Sequence, residues 1–215
     1  MILYWFLLLF TAIISYGMGS FSTMLLASRY VFKTRLRSLG TGNRWFSEFR
    51  RIYGIGGFIK LLIVELIKDV IPILIGGLLL GFRGHADVGR MFAGMCVVLG
   101  RLYPLFYDFK GCHATVAMVF IGFFADPAVG IAAAVVALAV TVFSRYLSLG
   151  ALAAAGIAAF VALLIVDDAL IRNLVFISAG LVLLRHFPAI LRMLAGREER
   201  LSYEEDISYK LDEKF

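Results

Sequence analysis

Long apolar segments separated by short polar turns recur along this whole chain and restrict what it can fold into. Of its 215 residues, 61% are hydrophobic and 17% are charged. A bilayer core about 30 Å thick requires about 20 helical residues per crossing, so the chain has room for about six or seven crossings with short loops. The sequence therefore predicts an all-α integral membrane protein of about seven transmembrane helices, with its functional residues in spans and loops.

Polar residues, glycine and proline mark the ends of the predicted spans. The spans run approximately over residues 2–28, 53–82, 88–102, 114–124, 128–143, 150–166 and 170–184. The first is too long for a signal-peptide core and lacks a basic leader, so we interpret it as a retained span. Pro72 is expected to bend or break the second. We predict one polytopic membrane domain over residues 1–191 and a polar tail over residues 192–215.

Basic residues are distributed unequally between alternate loops, which predicts an orientation. If the loop between the first two spans is cytoplasmic, the same side receives Arg101, Lys110, Arg145, Arg185 and the tail. The other side receives fewer basic residues and several aspartates. Because cytoplasmic loops carry an excess of lysine and arginine, we predict an external amino terminus and a cytoplasmic carboxyl terminus. The net charge of +6 fits contact with anionic lipid head groups, and nucleic acid is a poor alternative partner.

The most basic stretch, residues 35–51, reads RLRSLGTGNRWFSEFRR. Its glycines tolerate positive φ and leave room for a ligand, so backbone amides, a hydroxyl and a carboxamide can surround one small anion. Flanking guanidinium groups suit a phosphate ester. The residues of this candidate phosphate site are Arg37, Gly40, Thr41, Gly42, Asn43 and Arg51. The alternative is a plain glycine turn beside arginines that only orient the adjacent span.

Three further segments on the predicted cytoplasmic side add candidate groups. They supply a lysine in a glycine turn (Lys110 and Gly111), a serine–arginine pair (Ser144 and Arg145) and a titratable base (His186). Each has a structural alternative, since a basic residue can anchor topology and a serine can close a helix end. Their convergence on one face favours a phosphate site with a base.

Metal binding is not expected. The two cysteines, Cys96 and Cys112, and the three histidines show no metal-ligand spacing. His85 also falls on the opposite side from His186 in the predicted topology. We therefore expect neither a metal nor a cofactor.

An ordered series of short motifs resembles the bacterial acyl-phosphate-dependent glycerol-3-phosphate acyltransferases, the PlsY family. The resemblance covers most of the chain. The motifs are Gly19-Ser20, Leu36-Arg37-x-x-Gly40-Thr41-Gly42-Asn43 with Arg51, Glu65-x-x-Lys68, Tyr103-Pro104-x-Phe106-x-x-Phe109-Lys110-Gly111, Ser144-Arg145-Tyr146-x-Ser148 and Arg185-His186.

This resemblance implies a seven-span monomer in the bacterial inner membrane, with its active face cytoplasmic. It implies that acyl phosphate and glycerol 3-phosphate react to give lysophosphatidic acid and inorganic phosphate in phospholipid biosynthesis, without acyl-CoA. Lys110, Ser144 and Arg145 are assigned to glycerol 3-phosphate, and the amides of residues 40–43 to the acyl phosphate. His186 is assigned to proton transfer, with Thr41 or a phosphate oxygen sharing that role. Lys68 and Gly111 complete the implied substrate site.

Several positions depart from the pattern of the family. Trp45 and Glu48 add bulk and negative charge beside the glycine turn, Cys112 and His113 replace a glycine and a lysine, and Ala189 replaces an asparagine. A diverged member that binds phospholipid precursors or a partner without turnover is therefore the alternative. A small transporter is a third hypothesis, although the sequence shows no convincing internal repeat.

Overall fold

A computed structural model of the chain describes residues 2–23, 46–107, 109, 111 and 114–197, with the backbone alone at residues 46–53, 55, 58 and 107. This part of the chain contains seven α-helices and a single-turn 3-10 helix at Leu105–Tyr107. The α-helices are α1 (Ile2–Ser20), α2 (Phe46–Gly81), α3 (Ala86–Leu102), α4 (Thr115–Ala125), α5 (Pro127–Ser144), α6 (Leu147–Ile165) and α7 (Ala169–Leu194). The predicted all-α class is confirmed.

The chain divides into two compact units. One consists of Met1–Phe21 and Lys68–Arg200, and the other of Ser22–Ile67 and Leu201–Phe215. The first unit holds most of the helices, and the packing described below lies within it.

Two predicted span ends were wrong, and of the two effects expected of Pro72 the break does not occur. Helix α1 ends at Ser20, well before residue 28. Helix α2 continues through Pro72, and the residue with non-helical dihedrals is Gly54, at φ 72° and ψ −178°. That combination is essentially restricted to glycine, whereas a transmembrane helix tolerates proline when its surroundings satisfy the freed backbone group. Helix α7 continues past residue 184 to Leu194, because hydropathy marks the length of the apolar stretch and not the length of the helix.

The helices differ in how well they could span a bilayer. By length and composition, α1, α5, α6 and α7 are each long and apolar enough to cross a membrane. Helix α4 has 11 residues and is therefore only about 16 Å long. Large exposed side chains such as Trp5, Leu138 and Leu184 cover the outer surfaces of the helices, as expected of a protein that faces lipid. That all seven helices cross the bilayer stays a prediction.

Glycines bring the backbones of neighbouring helices into direct contact around α3. A Cβ atom added to Gly100 would overlap the carbonyl oxygen of Tyr16 and approach the amide of Ser20, and one added to Gly19 would meet the backbone of Val97. The last turns of α1 and α3 therefore lie side by side. Close contact between small residues is the usual way for helices to pack in a membrane, where no hydrophobic force draws them together.

The same principle applies along the rest of the first unit. Gly76 of α2 packs against the carbonyl of Gly89 in α3, and Gly122 of α4 packs against the backbone of Gly130 in α5. The inner face of α6 is lined with alanines, which are Ala151, Ala154, Ala155, Ala158 and Ala162. These contacts make successive helices antiparallel neighbours, so alternate helices end on the same side of the bundle.

Gly100→Ala should destabilise the protein, because its methyl group has no space between α1 and α3. Overpacking of this kind typically costs about 1–3 kcal/mol. Gly156 of α6 is exposed with no atom near its missing Cβ, so Gly156→Ala should leave stability unchanged or raise it by up to about 1 kcal/mol through helix propensity. Thermal unfolding in detergent measures both, and equal melting temperatures for the two variants would contradict the packing described for α3.

Candidate functional site

The ends of α1, α3 and α7 meet at one polar end of the bundle. The hydroxyl of Tyr16 in α1 donates a hydrogen bond of 2.7 Å to the carbonyl of Tyr103, which follows α3. The Nε of Arg185 in α7 donates to the carbonyl of Leu102 at 3.1 Å. Its guanidinium carbon also lies 5.8 Å from the centre of the Tyr103 ring, a cation–π contact. The last residue of α3, Leu102, and the residue that follows it, Tyr103, are thus held from both sides.

Directly beneath these contacts is a buried ion pair. The Nε of Arg101, in the last turn of α3, lies 3.0 Å from Oδ1 of Asp69 in α2, and the two side chains are 1% and 0% exposed. Oδ2 of Asp69 has no hydrogen-bond partner among the described residues. Charges inside a membrane protein are costly and tend to mark functional regions.

Lys68, adjacent to this pair, belongs to the same end of the bundle. Its Nζ donates a hydrogen bond of 2.7 Å to the carbonyl of Phe21, just after α1. The ring of Phe21 stacks on that of Phe106, with centroids 4.8 Å apart. Lys68 thus places its ammonium group beside the loop that follows α3, where a substrate anion could meet it.

Gly111 packs on the end of α3. A Cβ atom at this position would overlap the carbonyl oxygen of Arg101 and crowd that of Leu102. The requirement for glycine here is therefore steric. Gly111 is the glycine of the predicted Lys110-Gly111 turn, and Lys110 itself lies outside the described residues.

His186 lies inside α7 and is buried, with 5% of its surface exposed. Its Nδ1 is 2.8 Å from the carbonyl of Val182, one turn earlier. A carbonyl can only accept, so Nδ1 carries the proton and donates it to Val182. In the neutral ring, Nε2 then carries the lone pair and is the atom able to take a proton. Ala189, three residues later, is buried as well.

The Ser144–Arg145 pair lies where α5 ends. The Ser144 hydroxyl donates to the carbonyl of Val140 at 2.6 Å and accepts from the amide of Tyr146 at 3.2 Å, which are the contacts of a helix-end serine. Arg145 is the residue that caps α5, and its φ of 61° is left-handed. An arginine in this conformation is strained, since glycine is the residue that adopts it freely. Ser148, early in α6, is buried.

Alternation of the helices places this pair at the same end as His186. Helix α4 begins at the end of the bundle where α3 ends, and α5 runs antiparallel to α4. Helix α5 therefore ends on the side where α3 and α7 end. Lys68, Gly111, Ser144, Arg145 and His186 thus share one end of the bundle. His85 lies just before α3 begins, at the opposite end, where its ring meets that of Tyr4 at 5.8 Å.

The remaining predicted site residues are not covered by the structure. Arg37, Gly40, Thr41, Gly42, Asn43 and Lys110 lie outside the described residues, as do Trp45, Cys112 and His113. Arg51 and Glu48 belong to the described backbone of α2, without their side chains. Among the described residues, no group of three or more histidine, cysteine, aspartate or glutamate side chains could hold a metal ion.

Sequence reasoning missed three members of the polar end, Asp69, Arg101 and Arg185. A signal was present for the first two, because each is a charge within or at the edge of an apolar segment. Their partnership was not visible, since Asp69 and Arg101 belong to different helices. Arg185 was named for the topology and in the Arg185-His186 motif but was given no role in the site, although it contacts the last carbonyl of α3 and the aromatic ring of Tyr103.

Comparison with known proteins gives the same family along nearly the whole chain. The family model described as glycerol-3-phosphate acyltransferase matches residues 9–196. A glycerol-3-phosphate acyltransferase of Thermoanaerobacter pseudethanolicus is 30% identical over 199 residues, covering 92% of this chain and 97% of the relative. Glycerol-3-phosphate acyltransferase 2 of Bacillus anthracis is 27% identical over 191 residues, covering 89% of this chain and 97% of the relative.

Two solved structures share the fold. The glycerol 3-phosphate form of PlsY, an integral membrane glycerol 3-phosphate acyltransferase, has a TM-score of 0.72 and 25% identity over 91% of this chain and 96% of that chain. The lysophosphatidic acid form of PlsY has a TM-score of 0.74 and 23% identity, over 95% of this chain and 97% of that chain.

The fold and the polar end together define an all-helical integral membrane protein with cationic groups and a buried imidazole at one end of its bundle. Within that class, the chain belongs to the glycerol-3-phosphate acyltransferase family. The family resemblance carried by the short motifs is confirmed, and the identities of 30% and below fit a diverged member.

Proposed function

We propose that this chain transfers a fatty acyl group from acyl phosphate to the 1-hydroxyl of glycerol 3-phosphate, forming lysophosphatidic acid and inorganic phosphate. Membership of the family supports the acceptor and the product class. The donor is the one that the motif resemblance implies, and the cationic groups of the polar end are compatible with it. An acyl phosphate is an activated mixed anhydride, so the protein has to orient the hydroxyl, stabilise the oxyanion and neutralise the leaving phosphate. Cationic side chains, hydroxyls and one base are sufficient for these tasks, and we propose that no metal takes part.

The observation that carries this proposal is the hydrogen bond between Nδ1 of His186 and the carbonyl of Val182. The Nδ1–H donates in this bond, and we assign the role of general base to Nε2. The 1-hydroxyl oxygen attacks the acyl carbonyl carbon while Nε2 accepts the hydroxyl proton. The carbonyl then re-forms as the bond from carbon to phosphate oxygen breaks, and phosphate leaves with the electron pair. The proton on His186 passes to the departing phosphate or to water, which restores the base.

Cationic groups at the same end are proposed to hold the two phosphates. Lys110 and Arg145 would hold glycerol 3-phosphate, with Lys68 nearby, and the amides of residues 40–43 would hold the acyl phosphate with Arg37 and Arg51. The Ser144 hydroxyl would have to break its hydrogen bond to the carbonyl of Val140 before it could donate to a phosphate. We therefore expect Arg145 to contribute more than Ser144 to phosphate binding.

The same proposal includes an arrangement in the membrane. A single polytopic domain over residues 1–191 would function as a monomer in the bacterial inner membrane. Its amino terminus would be external, and its polar end and the tail over residues 192–215 would be cytoplasmic. The bias of basic residues supports this orientation, because α3, α5 and α7 all end on the side where these residues concentrate.

Purified protein in detergent, given acyl phosphate and glycerol 3-phosphate, should release lysophosphatidic acid and phosphate in equal amounts. Acyl-CoA in place of acyl phosphate should give no product, since its reacting carbonyl carbon is bonded to sulfur and not to a phosphate that the donor site could hold. Mass spectrometry of the lipid and a phosphate assay measure both. Binding of both substrates without release of phosphate would refute catalysis and favour the diverged member that binds without turnover.

His186→Ala should abolish most of the turnover, because loss of a general base typically lowers rates by about 10²–10⁴-fold. His85→Ala is the matched control, since His85 lies at the opposite end of the bundle, and its kcat should equal that of the wild type. Both variants should melt as intact proteins by thermal unfolding. A folded His186→Ala protein with wild-type kcat would remove the base from the mechanism.

Arg145→Gly separates backbone strain from substrate binding. Glycine relieves the left-handed backbone at this position, so the melting temperature should not fall. The KM for glycerol 3-phosphate should nevertheless rise about tenfold or more, because a hydrogen bond to a charged group contributes about 1.5–3 kcal/mol. Arg172→Ala is the control for charge loss, as Arg172 lies near the start of α7 and donates to the carbonyl of Val166. An unchanged KM in Arg145→Gly would assign Arg145 to topology alone.

A further inference from the structure

At the end of the bundle opposite His186, the turn between α2 and α3 borders a cavity of about 560 Å³. The residues that line it are Tyr4, Phe82, Arg83 and His85. This volume lies within the range of about 300–1,000 Å³ that is usual for small-molecule sites. None of the four residues has a part in the proposed acyl transfer, so the cavity is a candidate site for a different ligand.

The turn that carries Arg83 is fixed by its own backbone. The amides of Arg83 and His85 both donate to the carbonyl of Leu80, at 3.0 and 3.1 Å. Gly84, between them, has a φ of 78°, a left-handed conformation that glycine adopts without strain. The ring of His85 meets that of Tyr4 in α1 edge to face, with centroids 5.8 Å apart. The wall of the cavity is therefore held in place without a ligand.

Arg83 gives the cavity a positive charge that its described neighbours do not neutralise. The Arg83 guanidinium and the Tyr4 hydroxyl make no hydrogen bond or ion pair with another described residue. No carboxylate is among the described residues that line the cavity, and Asp87, in the first turn of α3, pairs with Arg90 at 3.3 Å. A guanidinium presents a fork of N–H donors that fits two phosphate oxygens, and a phenol adds a further donor. The cavity therefore suits a phosphate-type anion.

Apolar side chains beside the cavity indicate that this anion belongs to a lipid. Phe82 is 84% exposed, and Leu78, one turn earlier on the same face of α2, is exposed as well. Trp5, also exposed, lies beside Tyr4 with ring centroids 6.3 Å apart. Tryptophan and tyrosine are enriched where lipid head groups meet acyl chains. A free phosphate would leave these apolar surfaces uncovered, whereas a phospholipid covers them with its chains.

We propose that this cavity binds the phosphate of an anionic phospholipid from the leaflet opposite His186. Arg83 holds the phosphate oxygens, and the Tyr4 hydroxyl donates to one of them. The acyl chains lie along Phe82 and Leu78. Basic pockets between transmembrane helices are a known form of head-group site. The inference is independent of the proposed acyl transfer, because the cavity lies at the other end of the bundle.

Thermal unfolding in mixed micelles tests the site, because a ligand that binds the folded protein raises its melting temperature. Dioleoylphosphatidylglycerol should stabilise the wild type at a lower lipid fraction than dioleoylphosphatidylcholine, whose head group has no net charge. Arg83→Gln should melt like the wild type without lipid, since Arg83 is exposed. Its apparent affinity for phosphatidylglycerol should fall about tenfold, as expected for loss of a charge-assisted contact. An unchanged affinity in Arg83→Gln, or equal stabilisation of the wild type by both lipids, would overturn the proposal.

Arg172→Gln is the matched control for loss of a positive charge at this end of the bundle. Arg172 lies near the start of α7 and donates to the carbonyl of Val166, and it does not line the cavity. This variant should keep the wild-type affinity for phosphatidylglycerol. An equal loss of affinity in Arg83→Gln and Arg172→Gln would overturn the proposal, because general attraction of anionic lipid to basic residues would then account for it.

Inorganic phosphate separates a lipid site from a site for a free anion. Any rise in melting temperature that it causes should be the same in the wild type and in Arg83→Gln, since a phosphate without acyl chains gains nothing from the apolar surfaces. A phosphate effect that is lost in Arg83→Gln would overturn the assignment to a lipid. None of these measurements depends on turnover, so failure of this inference and failure of the proposed acyl transfer are distinguishable.

Discussion

Close backbone contact with the end of α3 is the constraint on which the polar end of this protein depends. Gly19 and Gly100 bring α1 against α3, and Gly111 brings the following loop onto the carbonyl of Arg101. In lipid, where no hydrophobic force draws helices together, the absence of a side chain at such points is what permits the contact. Once α3 is enclosed in this way, its last two carbonyls become the surface that receives Arg185 and Gly111.

The buried ion pair of Asp69 and Arg101 lies at one end of this apolar bundle. Asp69 and Arg101 neutralise each other while buried, whereas Lys68 and Arg185 extend from them towards the loop and donate to backbone carbonyls. The proposed acyl transfer requires a base and cations that are held in place, and a carbonyl orients a cation without removing its formal charge. The carbonyl of Val182 likewise determines the tautomer of His186.

The limits of hydropathy explain where the sequence-based boundaries were wrong. Helix α7 continues through Arg185, His186 and Pro188, which were expected to lie beyond its end, and this extension buries the histidine inside a helix. Helix α2 continues through Pro72 but is interrupted at Gly54. A hydropathy pattern reports which residues avoid water. The hydrogen bonds of the helix continue for as long as neighbouring elements cover or satisfy the backbone, which depends on residues distant in sequence.

By itself the sequence determined that this is a helical membrane protein, which of its loops are basic, and which family its motifs belong to. These properties follow from composition and local order, and the motif residues Lys68, Gly111 and His186 were predicted for that reason. The tertiary structure alone decided that Asp69 pairs with Arg101, that Arg185 holds Leu102 and that Nδ1 of His186 carries the proton. The first two depend on which helices are neighbours and at what register, and the third depends on the extension of α7 through His186. Residues 32 apart in the chain, as Asp69 and Arg101 are, become partners only when α2 and α3 pack together.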